Sequence, residues 1–331
     1  MAEKPLVSVV IPTYNRAGTI ARAIESVMRQ SHRPLEIIVV DDGSSDGTLR
    51  AIDCNAYPLP LTLISLSRNQ GAAAARNHGI AMAQGVYVAF LDSDDEWHPD
   101  KITRQLRALA TAGPAFGSCY TGIARLGEDG RLCGLSRAIA AGDLRLALFN
   151  HNLIGSASGL LVTRALLRAV GGFDRTLASC QDWDLCIRLA DRTRFACVPE
   201  PLTLLHIARE GRISSNGHAR LSGYLQLYRM HLRGPFKSGR VDTAVFRTNL
   251  GEIFMQLGRP DYAARQFAAI WRAKPWSVKR MTLLALAWSG IGAVHYFRAA
   301  AWLNRVEMRL RLSPIAAAST RVPLAPRGRR P

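Results

Sequence analysis

Apolar positions come in short blocks along the first two hundred residues, and polar turns punctuate them at regular intervals. Residues 6–11 form an apolar run closed by Pro12. A polar turn, Thr13-Tyr14-Asn15-Arg16, follows it, and Ile20, Ile24 and Val27 then recur at helical spacing. A second run, residues 35–40, ends in Asp41-Asp42-Gly43-Ser44-Ser45-Asp46-Gly47-Thr48, after which Leu49 and Ile52 predict another helix. Residues 61–66 predict a third strand, leading through Arg68-Asn69-Gln70-Gly71 into the alanine-rich residues 72–83, a strong helix by propensity. Val86, Tyr87, Val88, Phe90 and Leu91 have the composition of a buried strand, and they run without a spacer into Asp92, Asp94, Asp95 and Glu96. A helix is expected to start near Pro99. Strands alternating with helices imply right-handed crossovers and a mainly parallel sheet, an α/β fold.

Composition sharpens this picture only where it is localised. The 331 residues carry a net charge of +18 and are 48% apolar, which is globular and enough for a sizeable core. Residues 1–113 hold 11 Lys/Arg against 12 Asp/Glu, whereas residues 220–331 hold 20 against 4. The basicity belongs to the C-terminal third, whose partner should be anionic: a lipid surface, an acidic polymer or nucleic acid. No nucleic-acid-binding motif accompanies it, so none is expected as partner. Cys54, Cys119, Cys133, Cys180, Cys186 and Cys197 show neither a Cys-x-x-Cys pair nor zinc-finger spacing. Reduced thiols in a cytoplasmic setting are the simplest reading. A strand pattern from residue 6 leaves no room for a signal peptide, and no 18-residue uncharged apolar segment is present.

The candidate chemistry lies where strands end. Acidic clusters close two separate strands, at Asp41-Asp42 and at Asp92 to Asp95, and Arg68 and Arg76 flank a third strand and its helix. In open α/β sheets that edge binds ligands, and clustered carboxylates repel unless a cation neutralises them. Hard oxygen donors suit Mg²⁺ or Mn²⁺, and the whole ring suits a nucleotide diphosphate: carboxylates for base and ribose, arginine for phosphate, a metal bridging the two. Gly-x-Gly-x-x-Gly and Gly-x-x-x-x-Gly-Lys-Ser/Thr are both absent, which disfavours dinucleotide and P-loop binding. Gly43 and Gly71 serve tight turns.

Taken together, Val-Ser-Val-Val-Ile-Pro-Thr-Tyr-Asn-Arg, Ile-Ile-Val-Val-Asp-Asp-Gly-Ser-Ser-Asp-Gly-Thr, Asn69-x-Gly71 with Ala75-Arg76-Asn77, and Leu-Asp-Ser-Asp-Asp resemble a family 2 glycosyltransferase of the GT-A fold over roughly residues 5–210. The resemblance implies an inverting transferase that uses a nucleotide-diphosphate sugar and a divalent metal. It implies that Asp41, Asp42 and Arg76 face the base and ribose and that Pro12, Tyr14 and Glu25 lie along the nucleotide pocket. Asp92 and Asp94 would form the metal motif, with Asp94 the direct ligand, and Asp92 and Ser93 would also contact the nucleotide sugar. Downstream, Gly171-Gly172-Phe173-Asp174 precedes Gln181-Asp182-Trp183, where family members commonly place a Glu-Asp pair. Asp182 is the matched position, a general base for the acceptor hydroxyl, although a helix-capping role would also suit it. Gln181 departs from the usual Glu. Leu205-His206 and Arg209 stand where the family has Tyr-Arg and a nearby His, so His206 is a further candidate for metal or phosphate, or else a structural residue at a strand end.

The expected organisation is a GT-A domain over 1–219, divided into a nucleotide-sugar half (1–113) and an acceptor half (114–219). A basic helical extension over 220–312 and a disordered basic tail over 313–331 follow it. Around Leu257 and Phe267 the extension faintly resembles a single tetratricopeptide-like helix pair. Residues 281–303 fit an interfacial or a core helix, the first of which would hold the protein peripherally on the inner face of a membrane, near a saccharide or lipid-linked acceptor. A nucleotidyltransferase on the same fold and a non-catalytic nucleotide-sugar-binding module are the rival readings.

Overall fold

The computed structural model describes residues 4–52, 57–207, 216–237 and 242–273. The chain divides into two compact units, Met1–Val245 and Phe246–Pro331. In the first, β1 (Val7–Thr13), α1 (Ile20–Met28), β2 (Leu35–Asp41), β3 (Leu61–Ser65), α2 (Ala72–Met82) and β4 (Tyr87–Phe90) alternate as the apolar blocks predict. β5 (Glu96–Trp97), α3 (Lys101–Ala112), β6 (Phe116–Leu126), β7 (Leu132–Ser136), α4 (Arg145–Asn150), β8 (Leu160–Thr163), α5 (Arg164–Ala169), α6 (Gln181–Ala190) and β9 (Arg194–His206) complete the sheet region. α7 (Gly217–Leu227), a π-helical turn (Tyr228–Leu232) and α8 (Arg233–Lys237) follow. Drawn with the extension on sequence grounds, these helices pack in the first unit: His231 Nε2 stands 2.7 Å from Oδ1 of Asp184 on α6.

The described strands make one mixed sheet in the order β3-β2-β1-β4-β8-β6-β9-β5, with β7 on β6. β1 pairs parallel with β2 and β4, β2 with β3, and β6 with β9, while β8 runs antiparallel between β4 and β6. All seven residues of β1 are buried, as a central parallel strand covered on both faces requires. Val9, Ile11, Ile24, Ile37, Val39, Leu91 and Trp97 share one core.

The sheet curls. In a flat sheet β4 and β5 would stand four strand spacings apart, about 19 Å at ~4.8 Å each. Only residues 91–95 join them, and Asp95 N–H donates to the Asp92 carbonyl at 2.9 Å, closing a turn within that link. A fully extended link could just reach roughly 20 Å; a turned one cannot. The β9 end must therefore swing back towards β4.

Two stretches differ from the sequence pattern. At Leu49 and Ile52 the chain makes a 3₁₀ turn, Thr48–Ala51, in place of a helix. Gly47 is left-handed (φ 89°), and the Asp46 carboxylate accepts from Thr48 N and Ala17 N, so polar side chains satisfy the local backbone before a helix can. β6, β7 and α4 lie in a stretch where no apolar block announces them.

α9 (Thr243–Gln256), all but its first three residues in the second unit, and α10 (Pro260–Ala273) form the expected helix pair. They pack closely at Gly251, where a Cβ would come within 2.5 Å of the Phe267 ring. Residues 274–331 and Arg209 lie outside the described residues, as do the expected interfacial helix and basic tail. Among the described residues no helix is long and apolar enough to cross a membrane.

Candidate active site

Because β1, β2 and β4 are parallel neighbours, their C-terminal ends open at one edge. Pro12 is buried near the end of β1 in register with Val40, and Tyr14 follows it onto the exposed rim. Asp41, wholly buried at the end of β2, accepts from Ser44 N at 3.1 Å. Asp42 accepts from Gln70 N (2.7 Å) and Gly71 N (2.8 Å) at the start of α2. Both carboxylates thus fix the loops that wall the opening and show little surface to it. Gly43 (φ 77°) passes so close to Arg68 that a Cβ would sit 2.8 Å from its carbonyl carbon, which only glycine allows.

The four acids after β4 separate into distinct roles. Asp95 is wholly buried and accepts from Ser158 Oγ at 2.7 Å; the same hydroxyl accepts from Asp92 N at 3.0 Å, and Trp97 Nε1 donates to the Ser158 carbonyl at 2.8 Å. Ser158, in the 3₁₀ turn before β8, therefore pins the acidic loop. Ser93 is buried. Asp92 and Asp94 keep partly open side chains at the edge; Arg16 Nε lies 4.0 Å from Asp94 Oδ2, and Arg22 donates to the Asp94 carbonyl. Glu96 instead gathers His206 (2.6 Å), Arg22 (3.3 Å) and Arg29 (3.6 Å). Burial works to raise its pKa, but the His206 hydrogen bond and the two arginines prevail and hold it low. His206 is thereby placed on Glu96, whose partner Arg22 also donates to the Asp94 carbonyl; among the described residues no three acidic, His or Cys side chains gather as a metal cage. Glu25 lies on the exposed face of α1, paired with Arg29 at 3.7 Å.

Arg76 on α2 ties the two halves of the edge. Its Nη2 donates to Asp92 Oδ1 at 2.6 Å and its Nη1 to Gln181 Oε1 at 3.2 Å, while the guanidinium lies over the Phe173 ring. It is 8% exposed, so it braces the site more than it faces the opening. Asn77, one residue on, exchanges two 2.8 Å hydrogen bonds with the backbone of Phe173, clasping the Gly171-Gly172 turn to α2.

α6 starts behind Cys180, a non-glycine residue in the left-handed region (φ 62°). Asp182 is half-buried in its first turn. Loss of hydration raises its pKa above the ordinary carboxylate range, against the hydrogen bonds from Asn152 Nδ2 (3.3 Å) and Trp183 N (2.8 Å) and the charge of Arg76. A carboxylate so raised is a stronger base than an ordinary aspartate. Ser158, Asn152 and the bracing role of Gln181 were not visible in the sequence, since each acts through a contact distant in the chain.

The chain is similar in sequence and fold to known proteins. The profile described as Glycosyl transferase family 2 matches residues 8–166. WcaA of Escherichia coli (strain K12), a glycosyl transferase named for colanic acid biosynthesis, is 30% identical over 236 residues, 70% of this chain and 83% of its own. The chain belongs to glycosyl transferase family 2. TuaG of Bacillus subtilis (strain 168), a glycosyltransferase named for teichuronic acid biosynthesis, is 43% identical over 128 residues, 38% of this glycosyltransferase and half of TuaG's length. The mannosyltransferase PcManGT of Pyrobaculum calidifontis, solved with GDP-Man and Mn²⁺, has a TM-score of 0.57 at 21% identity and covers 96% of this chain and 89% of its own. That likeness establishes the GT-A fold.

GT-A glycosyltransferases generally use a divalent metal. In this one the donor set fits: two hard carboxylates, Asp92 and Asp94, at an open edge suit an ion that takes its remaining ligands from phosphate and water.

Proposed function

We propose that the chain is an inverting glycosyltransferase that moves a sugar from a nucleotide-diphosphate donor to an acceptor hydroxyl in cell-surface polysaccharide or glycolipid synthesis. The observation that carries this reading is the Asp182 carboxylate in the first turn of α6, held by Asn152 and joined through Gln181 and Arg76 to Asp92 at the strand edge. Asp182 takes the proton of the acceptor hydroxyl as that oxygen attacks the anomeric carbon. The bond to the diphosphate oxygen breaks with its electron pair leaving on the nucleotide, so the anomeric configuration inverts. Asn152 aims the carboxylate by donating to its Oδ2. Arg76 keeps Asp92 and the start of α6 in register, a geometric demand because small misplacements of a reacting group are costly. Asp94, with Asp92, would hold Mn²⁺ or Mg²⁺, which when bound neutralises charge developing on the departing diphosphate. The polysaccharide systems for which WcaA and TuaG are named support a saccharide or lipid-linked acceptor. A panel of nucleotide sugars screened by thermal shift with and without Mn²⁺, followed by product analysis, tests the reading. Release of nucleoside diphosphate with each sugar transferred is expected; release of pyrophosphate would instead identify a nucleotidyltransferase.

A further inference from the structure

At the sheet edge opposite Asp92 and Asp94, the first unit holds a cavity of about 980 Å³. It lies at the N-terminal ends of β1, β4 and β6, where α1, α3 and α6 finish, and its size falls within the range of small-molecule sites, roughly 300–1,000 Å³. Its apolar lining includes Tyr87, Leu106, Phe116 and Leu166, interspersed with the hydroxyls of Ser31, Thr103, Thr163 and Thr193. Its charged lining residues are all basic: Lys4, Arg107 and Arg192, each on the exposed rim. Among the described residues, none of these three forms an ion pair, and no Asp or Glu lines the cavity. His32, also in the wall, is buried with Nε2 2.9 Å from the Pro5 carbonyl, and burial lowers its pKa, so it adds no charge near neutrality. The reacting groups described above lie at the other edge of the sheet.

Apolar lining beside unpaired cations matches one ligand chemistry, an anion joined to a hydrocarbon. A bare anion would leave the apolar lining wet, and an uncharged hydrocarbon would leave the cations unused. We propose that this cavity is a second ligand site for an anionic amphiphile, a phosphate monoester or diester carrying an alkyl, acyl or isoprenoid chain. The chain lies on Phe116 and Leu166, and the phosphate is held by Arg107 and Arg192 with Lys4. The site is independent of the proposed transfer reaction. It would let the catalytic unit itself hold a phospholipid or a lipid-phosphate, separately from the basic residues of the C-terminal third. Cations here also offset the carbonyl ends of three helices, and the test separates that role from binding.

The test is calorimetric titration of the full chain with decyl phosphate below its micelle concentration, in parallel with decanol and with inorganic phosphate, at low and high salt. One decyl phosphate per chain is expected, weakening as salt rises, with decanol and inorganic phosphate each at least tenfold weaker. Excess uridine or guanosine diphosphate should not displace it. Arg107→Gln with Arg192→Gln, and separately Ala110→Trp, which fills the cavity without changing charge, should each weaken binding at least tenfold. Equal binding of decanol or inorganic phosphate, displacement by nucleotide, or unchanged affinity in both variants would overturn the proposal. So would a lower thermal midpoint in the arginine variant with affinity intact, since that is the helix-end role alone.

Discussion

The guanidinium of Arg76 lies 2.6 Å from the Asp92 carboxylate. That pair, extended to Gln181, is what makes the end of β4 and the start of α6 a single site. It also explains the neutral Gln181: a side-chain carbonyl suffices to accept from Arg76 Nη1, and its amide donates to the Leu177 carbonyl within the turn before α6. Arg76→Met removes the brace and a positive charge that lowers the Asp182 pKa. The expected result is a kcat/KM lower by roughly 10- to 100-fold, with the acid limb of its pH profile displaced to higher pH. A pH profile of the variant beside wild type reads both.

Asp182→Asn keeps the shape of the proposed base and removes most of its basicity. kcat should fall by roughly 10² to 10⁴, while donor affinity changes little. In wild type the acid limb of kcat/KM should lie above the ordinary aspartate range, because burial raises this carboxyl. Isothermal titration of donor into the variant, beside initial rates, distinguishes a base from a nucleotide ligand: weakened donor binding with kcat retained would reassign the residue.

Asp94→Ala should abolish both the stimulation of turnover by Mn²⁺ and the stabilisation by donor. At a concentration 100 times its Kd, a donor raises stability by about 2.7 kcal/mol, so the lost thermal shift is readily measured. Metal-stimulated turnover that survives in the variant would remove Asp94 from the metal.

Ser158→Ala takes one donor from the buried Asp95 and the acceptor from Asp92 N. A loss of about 1–3 kcal/mol is expected by denaturant titration. An exposed loop hydroxyl would cost far less.

Lys101 is wholly buried, donates to Gln105 Oε1 and lies 4.0 Å from the Trp97 ring. Burial lowers its pKa from 10.5 to about 7. Between those values the unfolded chain binds a proton that the folded chain does not, so this group makes stability rise with pH. Its cost, roughly 4–5 kcal/mol, is fully present below pH 7 and gone above the unfolded value. The stability advantage of Lys101→Met over wild type should therefore shrink as pH rises from 7 to 10.

The alternation of strands and helices through β4, and the carboxylates at the ends of β2 and β4, were legible because parallel strands buried on both faces are written as continuous apolar runs. The division of labour among the acids was not. Asp92, Asp94, Asp95 and Glu96 are chemically alike in sequence; only distant partners, Arg76, Ser158 and His206, assign one to the strut, one to the core and one to a His–Arg ion cluster. For the same reason the pairing of Glu25 with Arg29 and of His206 with Glu96 could not be read from the sequence. β6 was hidden because glycine, serine and threonine dilute its apolar pattern, although residues Gly117 to Ala124 are buried.

The short link between β4 and β5 constrains more than chemistry. Since residues 91–95 both turn and span towards a β5 that is clamped on β9 at Thr203 and Leu204, their number sets how tightly the sheet closes. One added residue between Ser93 and Asp94 would let the closure relax and carry Asp94 off its station even with every acid retained. This segment is therefore a ruler, and it cannot lengthen to admit a bulkier sugar. Room for a different donor or acceptor has to be made elsewhere in the fold, because this link has no slack to give.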